Sequence, residues 1–192
     1  MRSLVFATNN QYKTAEVNKL LEGKYEVLNL SDIGCETDIP ETGSSFAENA
    51  NLKSHYVAAN YQMDCFADDS GLEVEALNNE PGIFSARYSG VRDDRTNLLF
   101  LLDRLKGQVN RAARFKTVIS LVQGGNTFLF EGVIEGTIRE VPVGDQGFGY
   151  DPIFEPQGYE QTFAEMSMAQ KNEISHRAIA MRKLIAFLKE QV

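Results

Sequence analysis

Short apolar runs separated by polar turns recur along the chain, and their spacing alternates between the period of a strand and that of a helix. Ser3–Ala7 reads as a buried strand. Thr8–Lys13 then leads into a helical pattern that runs to Leu20 and Leu21 and stops at Gly23. Tyr25–Leu30 alternates as a second strand, and residues 31–44 form a polar loop holding Pro40, Glu41, Thr42 and Gly43. Ser45-Phe46-Ala47-Glu48 has the spacing of a capping box and opens a helix carrying Ala50, Lys53 and Val57 toward Asn60. The apolar run Cys65–Ala67 delivers Asp68, Asp69 and Ser70 to a turn, from which Leu72, Val74 and Ala76 lead away as a half-buried strand.

The second half repeats the alternation. Asn78–Gly82 breaks the chain and Ser85–Gly90 continues it as a loop. A helix is predicted over Asp94–Leu105, with Leu98, Leu101, Leu102 and Leu105 on one face and Gly107 as its stop. Phe115–Val122 and Thr127–Val133 read as antiparallel strands joined through Gly124-Gly125-Asn126, with residues 134–139 extending the second beyond Gly132. This pair is expected to form the sheet of a second lobe. Phe163–Ala169 leads into Gln170–Arg177 and an amphipathic helix bearing Ile179, Leu184, Ile185 and Leu188.

With 192 residues, 43% of them hydrophobic, the chain can bury a real core, and a single domain over 1–192 with two lobes is expected. A cleft between the lobes is the default place for a small-molecule site. No run approaches the roughly 18 apolar residues of a membrane span, and the start is too soon polar for a secretory signal. A soluble, cytoplasmic protein is expected, with no membrane partner. Cys35 and Cys65 lack the paired spacing of a zinc site. The formal net charge of −8 argues against broad attraction to nucleic acid, so an anionic ligand must be received locally.

Two adjacent carboxylates at a strand end repel unless water or a cation compensates, and Mg2+ suits hard oxygen ligands shared with substrate phosphates. Taken alone, Asp-Asp-Ser-Gly equally fits a solvated acidic turn. Thr8–Lys13, at the amino end of a helix, could receive a phosphate on backbone N–H groups and Lys13; the alternative is a Thr8 or Asn cap with a solvated lysine. Glu41, just before a helix, could serve as a second metal ligand. In Gly144–Pro152, Phe148 and Tyr150 could stack on a base or plug the core of a tight turn. His176 and Arg177 sit at a helix start, where cap and surface charge are the ordinary roles, although the fork of Arg177 suits a carbonyl or phosphate oxygen.

Six blocks join these signals: Thr8-Asn9-Asn10-x-x-Lys13, Glu41-Thr42-Gly43-x-x-Phe46-x-x-Asn49-Ala50-x-x-Lys53, Ala67–Leu72, Pro81-Gly82-x-x-Ser85-Ala86-Arg87-Tyr88, Phe148–Pro152-x-Phe154, and Lys171-Asn172-x-x-Ser175-His176-Arg177. In this order they resemble the inosine triphosphate pyrophosphatase (Ham1-type, XTP/dITP diphosphatase) family over nearly the whole chain. The resemblance implies an α/β fold with an elongated mixed sheet, flanking helices and two lobes around a central cleft. It also implies Mg2+-dependent hydrolysis of ITP, dITP and XTP to the monophosphate and pyrophosphate, usually by a homodimer.

Carried over, Asp69 resembles the general base and a metal ligand, Glu41 a magnesium ligand, and Asp68 a helper. Thr8, Asn9, Asn10, Gln11, Tyr12, Lys13 and Lys53 resemble the triphosphate-binding set, and Ser70 a substrate contact. Phe148, Gly149, Tyr150, Asp151, Lys171, His176 and Arg177 resemble the base and ribose pocket. Arg177, which has only donors, would donate to the six-carbonyl of hypoxanthine or xanthine and oppose the amino group of adenine. Thr8 stands where serine is frequent, and Met166–Gln170 departs from the common pattern, without touching a named catalytic position. The rival readings are a pyrophosphohydrolase for other nucleotides and a non-catalytic nucleotide-binding protein.

Overall fold

The structure, a computed structural model, describes residues 2–21 and 25–190. In chain order the elements are β1 (Arg2–Phe6), α1 (Gln11–Leu21), β2 (Tyr25–Leu28), α2 (Phe46–Tyr61), β3 (Cys65–Val74), β4 (Glu80–Pro81), α3 (Asp94–Arg104), β5 (Ala112–Gln123), β6 (Asn126–Ile138), β7 (Phe154–Pro156), α4 (Met168–Ile174) and α5 (His176–Glu190). The strands form a mixed sheet in the order β2-β1-β3-β5-β6-β7, with β4 paired to β3 off this path. β1 is parallel to β2 and β3, while β3 with β4 and β6 with β7 are antiparallel. The expected α/β class with a mixed sheet and flanking helices is therefore present. The predicted helix stop at Gly23 lies outside the described residues.

The chain divides into two compact units, one of Met1–Asp69, Thr117–Gly132 and Ala178–Val192, the other of Ser70–Lys116 and Val133–Arg177. The β5–β6 hairpin, expected to belong to one lobe, supplies residues to both. Its two-residue turn, Gly124-Gly125, has both φ values positive (55° and 79°), as glycine permits without a Cβ penalty.

In the first unit the strands alternate between two apolar faces. Leu4 and Phe6 of β1, Phe66 of β3 and Ile119 and Leu121 of β5 pack with Val17 of α1 and Met181, Leu184 and Leu188 of α5. Val5 and Ala7, with Cys65 and Ala67, face the other way and pack with Val57 of α2, Leu30 and Cys35. Burial on both faces explains why these strands read as nearly unbroken apolar runs. Phe6 and Phe66 stack with ring centroids 4.6 Å apart, and truncating either to alanine is expected to cost about 3–5 kcal/mol.

The second unit has one core. Leu72 and Val74 of β3, Leu98 and Leu101 of α3, Phe115 of β5, Ile138 of β6 and Phe154 of β7 meet Leu105, Tyr150, Ile153, Phe163 and Met166. The predicted leucine stripe of α3 is thus core. Residues 112–116 of β5 alternate buried and half-buried, the pattern of a strand covered on one face, whereas 117–122 are buried throughout.

Several expectations change. The run predicted as a half-buried strand through Leu72, Val74 and Ala76 is fully buried at Leu72 and Val74, and Ala76 lies in a 3-10 helix over Glu75–Leu77. Asp68-Asp69-Ser70-Gly71 is not a turn but the middle of the ten-residue strand β3. The segment predicted as a loop after Pro81 contains a 3-10 helix over Gly82–Arg87. The C-terminal segment forms two helices, α4 and α5, because Ser175 adopts an extended conformation (ψ 152°) between them.

Candidate functional site

Consecutive residues of a strand point to opposite faces, so Asp68 and Asp69 do not confront each other. The alternation sends Asp68 toward the face of α1 and Asp69 toward the face of α2. Lys13 of α1 meets Asp68 at 3.0 Å, and Lys53 of α2 lies 3.9 Å from Asp69 Oδ1. The repulsion anticipated from their adjacency is relieved by the pleat, with a lysine on each side. Both acids are buried, Asp68 at 2% and Asp69 at 7% exposure, so the solvated-turn reading fails.

β3 meets different neighbours at its two ends. Its ladder with β1 covers Cys65 and Phe66, and its ladder with β4 covers Glu73 and Val74. Side chains satisfy groups between these ladders. Lys53 Nζ donates to the carbonyl of Asp68 at 2.6 Å, and Leu72 N–H donates to Ser85 Oγ at 2.9 Å.

In the first unit, α1 begins with Asn10 as its cap, Oδ1 accepting from the N–H groups of Tyr12 and Lys13, while Asn10 N–H donates to Thr8 Oγ1. The alternative that an Asn caps this helix is correct for Asn10, but its companion, a solvated Lys13, is not. Asn9, Asn10, Gln11 and Tyr12 are exposed, and Thr8 is half-buried.

Opposite them stands α2. Ser45 caps it by accepting from Glu48 N–H, but the Glu48 carboxylate reaches back to Ser44 N–H and Oγ instead of closing the predicted box on Ser45. Its buried stripe is Phe46, Asn49, Ala50, Lys53, Ser54 and Val57. The Lys53 ammonium bonds Glu41 Oε1 at 2.7 Å in addition to its contacts with β3. Burial opposes the charge of Lys53, but Asp69, Asp68 and Glu41 outweigh it and raise the pKa above 10.5. Burial raises the pKa of Asp69 above 3.8, despite the opposing fields of Lys53 and Lys13.

Sequence reasoning gave Asn49 no role. Its Nδ2 donates to Asp69 Oδ2 at 3.0 Å, its Oδ1 accepts from Gly43 N–H at 2.8 Å, and it is fully buried. The signal was available: Asn49 and Lys53 lie one helical turn apart on the stripe of Phe46, Ala50 and Val57. Gly43 is required by the same contact, because a Cβ there would stand 2.8 Å from Asn49 Oδ1.

In the second unit, Asp151 is the fixed point. Its Oδ2 accepts from Lys171 Nζ at 2.7 Å and from Phe148 N–H at 2.9 Å, and the side chains of both Asp151 and Lys171 are almost wholly buried. Lys171 Nζ lies 4.9 Å from the Phe148 ring centroid and the Arg177 guanidinium 5.8 Å from it, within cation–π range. Arg177 Nη2 donates to Ser70 Oγ at 3.3 Å. Arg177 is only 2% exposed, so it is not a surface charge. His176 stacks on Phe115 at 4.7 Å.

The two aromatics of the glycine-rich segment separate. Phe148 is half-buried among cations, whereas Tyr150 plugs the core with its hydroxyl on the carbonyl of Ser85. Gly149 N–H is held by Asp94 Oδ2 at 2.9 Å.

Among the described residues, no group of three or more His, Cys, Asp and Glu side chains is gathered so that it could hold a metal ion by itself. The donors at the first cluster are all hard carboxylate oxygens. That chemistry fits Mg2+ completed by substrate phosphates rather than a closed protein cage.

Residues 4–187 match the Ham1 family. The chain belongs to that family. Ham1 relatives align along nearly their whole length. A Flavobacterium psychrophilum protein named dITP/XTP pyrophosphatase is 52% identical over 97% of this chain and 98% of its own. One of the same name from Bacillus subtilis is 42% identical over 98% of each. The structure of the Staphylococcus aureus Ham1 protein matches with a TM-score of 0.91 at 42% identity, covering all of both chains. A Coxiella burnetii HAM1 protein gives 0.91 at 38% identity, over 99% of this chain and all of its own. Among the described residues of this Ham1 chain, no helix is long and apolar enough to cross a membrane.

Proposed function

We propose that this chain hydrolyses the non-canonical purine nucleoside triphosphates ITP, dITP and XTP to the nucleoside monophosphate and pyrophosphate, in the cytoplasm and as a homodimer. The observation that carries the reading is Lys53, a buried cation in contact with Glu41, the carbonyl of Asp68 and, more loosely, Asp69. The names of the family's full-length relatives supply the substrate class.

The amino end of α1 receives phosphate oxygens through the charge of Lys13 and the helix dipole, the N–H groups of Tyr12 and Lys13 being held by the Asn10 cap. Thr8, Asn9, Asn10, Gln11 and Tyr12 line that approach, and Lys53 supplies a second positive charge to the triphosphate. Glu41, Asp68 and Asp69 would hold Mg2+, which neutralises developing charge and lowers the pKa of bound water. Asp69 takes the proton of the attacking water as the bond at the first phosphate breaks and pyrophosphate leaves.

Phe148, Gly149, Tyr150, Asp151, Lys171, His176, Arg177 and Ser70 serve the nucleoside. Arg177 donates to the six-carbonyl that separates hypoxanthine and xanthine from adenine, and Ser70 and Phe148 fix its fork. Asp151 neutralises Lys171 and holds the backbone of Phe148. The tyrosine ring at 150 acts as support and not as a stacking face.

The test is pyrophosphate release from ITP and from ATP, with Mg2+ and with chelator, by the native chain and by Asp69→Asn. Metal-dependent release from ITP far above ATP, lost in the variant, is the expected result. Equal turnover of the two nucleotides would replace the reading with a general pyrophosphohydrolase, and no turnover with a nucleotide-binding protein.

A further inference from the structure

Asn49 is a fully buried amide whose two ends join different parts of the carboxylate cluster. Its Nδ2 holds Asp69 Oδ2 at 3.0 Å and its Oδ1 holds the N–H of Gly43 at 2.8 Å, two residues from Glu41. One turn further along α2, Lys53 spans the same gap with charge, bonding Glu41 and lying 3.9 Å from Asp69. Two rungs therefore connect the 41–43 segment to β3, one neutral and one ionic.

We propose that Asn49 is a positioning residue for the reaction: it fixes the carboxylate plane of Asp69 and the loop that carries Glu41 with respect to each other. The chemistry of the side chain is specific. A primary amide carries its donor and its acceptor on two separate atoms of one plane, so it donates to the carboxylate and accepts from the N–H on opposite sides at once. Aspartate has the same shape but no donor when ionised, and it sets a second negative charge against Asp69. Alanine leaves both partners of the amide without it in a buried place. The position of Lys53 does not compensate, because an ammonium on a flexible stem sets charge but not the orientation of a carboxylate plane.

The inference rests on the proposed activity for its kinetic arm, and a second arm is independent of it. With native chain that releases pyrophosphate from ITP, Asn49→Ala is expected to lower kcat about 10- to 100-fold with KM within about threefold. Circular dichroism at the assay temperature is expected to keep the folded signal. In the second arm, Asn49→Asp lowers Tm, and the exchange Asn49→Asp with Asp69→Asn recovers it by reversing donor and acceptor, while kcat stays lost. Full kcat in Asn49→Ala, or a loss matched by the unfolded fraction and recovered on cooling, overturns the positioning role. An exchange variant no more stable than Asn49→Asp overturns the hydrogen bond as its basis. If the native chain itself leaves ITP intact, the activity reading fails, and the melting arm still decides whether the bridge exists.

Discussion

Lys53 and Lys171 are both buried lysines with a carboxylate at 2.7 Å, yet their surroundings are opposite in sign. Lys53 sits among Glu41, Asp68 and Asp69, with Lys13 nearby on Asp68, so acids outnumber bases there. Lys171 shares one acid, Asp151, with the rings of Phe148 and Phe163, and Arg177 adds a further cation against Phe148. A surplus of carboxylate suits a metal and the activation of water. A surplus of donors against an aromatic ring suits a flat ligand carrying carbonyls. The same residue type is thus placed for two jobs by what is packed round it.

The contrast is broken most severely at Asp69. Asp69→Asn is expected to reduce kcat/KM for ITP by about 10²- to 10⁴-fold, since it removes the proton acceptor. The same change is expected to raise Tm at neutral pH by about 2–4 °C for each kcal/mol of charge burial relieved. The sign follows from the raised pKa. A carboxyl that holds its proton more tightly when folded contributes stability below its ordinary value of 3.8, and loses it as pH rises through the raised one. The gain in Tm should therefore vanish in acid. Melting curves across pH without metal check it.

Lys53→Met comes next, because it strands Glu41 and Asp69 without their shared cation. A loss of about 3–5 kcal/mol is expected by denaturant titration, the usual cost of breaking a buried pair. Arg177→Lys keeps the charge of the second cluster but removes the fork. The ITP over ATP ratio of kcat/KM should fall about 10- to 100-fold, the worth of one or two buried hydrogen bonds. An unchanged ratio would remove Arg177 from base recognition.

On kcat, the smallest effect is expected from Gly147→Ala. Gly147 has φ +76°, which costs an L side chain roughly 1–2 kcal/mol, and the added Cβ would press on Asp151 Oδ2. A raised KM for ITP with little change in kcat would sharpen the distinction between a binding cluster and a reacting one.

Much of this was legible along the chain. The leucines of α3, the Gly124-Gly125 turn, the start of α2 at Ser45 and the extension of β6 beyond Gly132 follow from local period and turn chemistry, which depend on neighbours in sequence. The misread stretch was Asp68–Gly71. Two acids, a serine and a glycine carry the local signature of a turn, and nothing nearby in sequence announces Lys13 and Lys53, 55 and 15 residues away from Asp68. Those cations make a buried strand tenable.

Phe148 and Tyr150 show the same limit. The sequence offered both rings as platform or plug, and only packing told them apart. Tyr150 found a buried carbonyl for its hydroxyl, while Phe148 found Lys171 and Arg177.

The amino-acid sequence by itself determined the α/β class, most element positions, the family blocks and the residue types of both clusters, since these rest on period, caps and short-range motifs. Tertiary structure alone decided that adjacent carboxylates face opposite sides of a strand with a lysine on each, that Asn49 bridges Gly43 and Asp69, and that burial lifts the pKa of Asp69. The physical reason is that charge, desolvation and hydrogen bonding depend on distance in space, which local sequence does not encode.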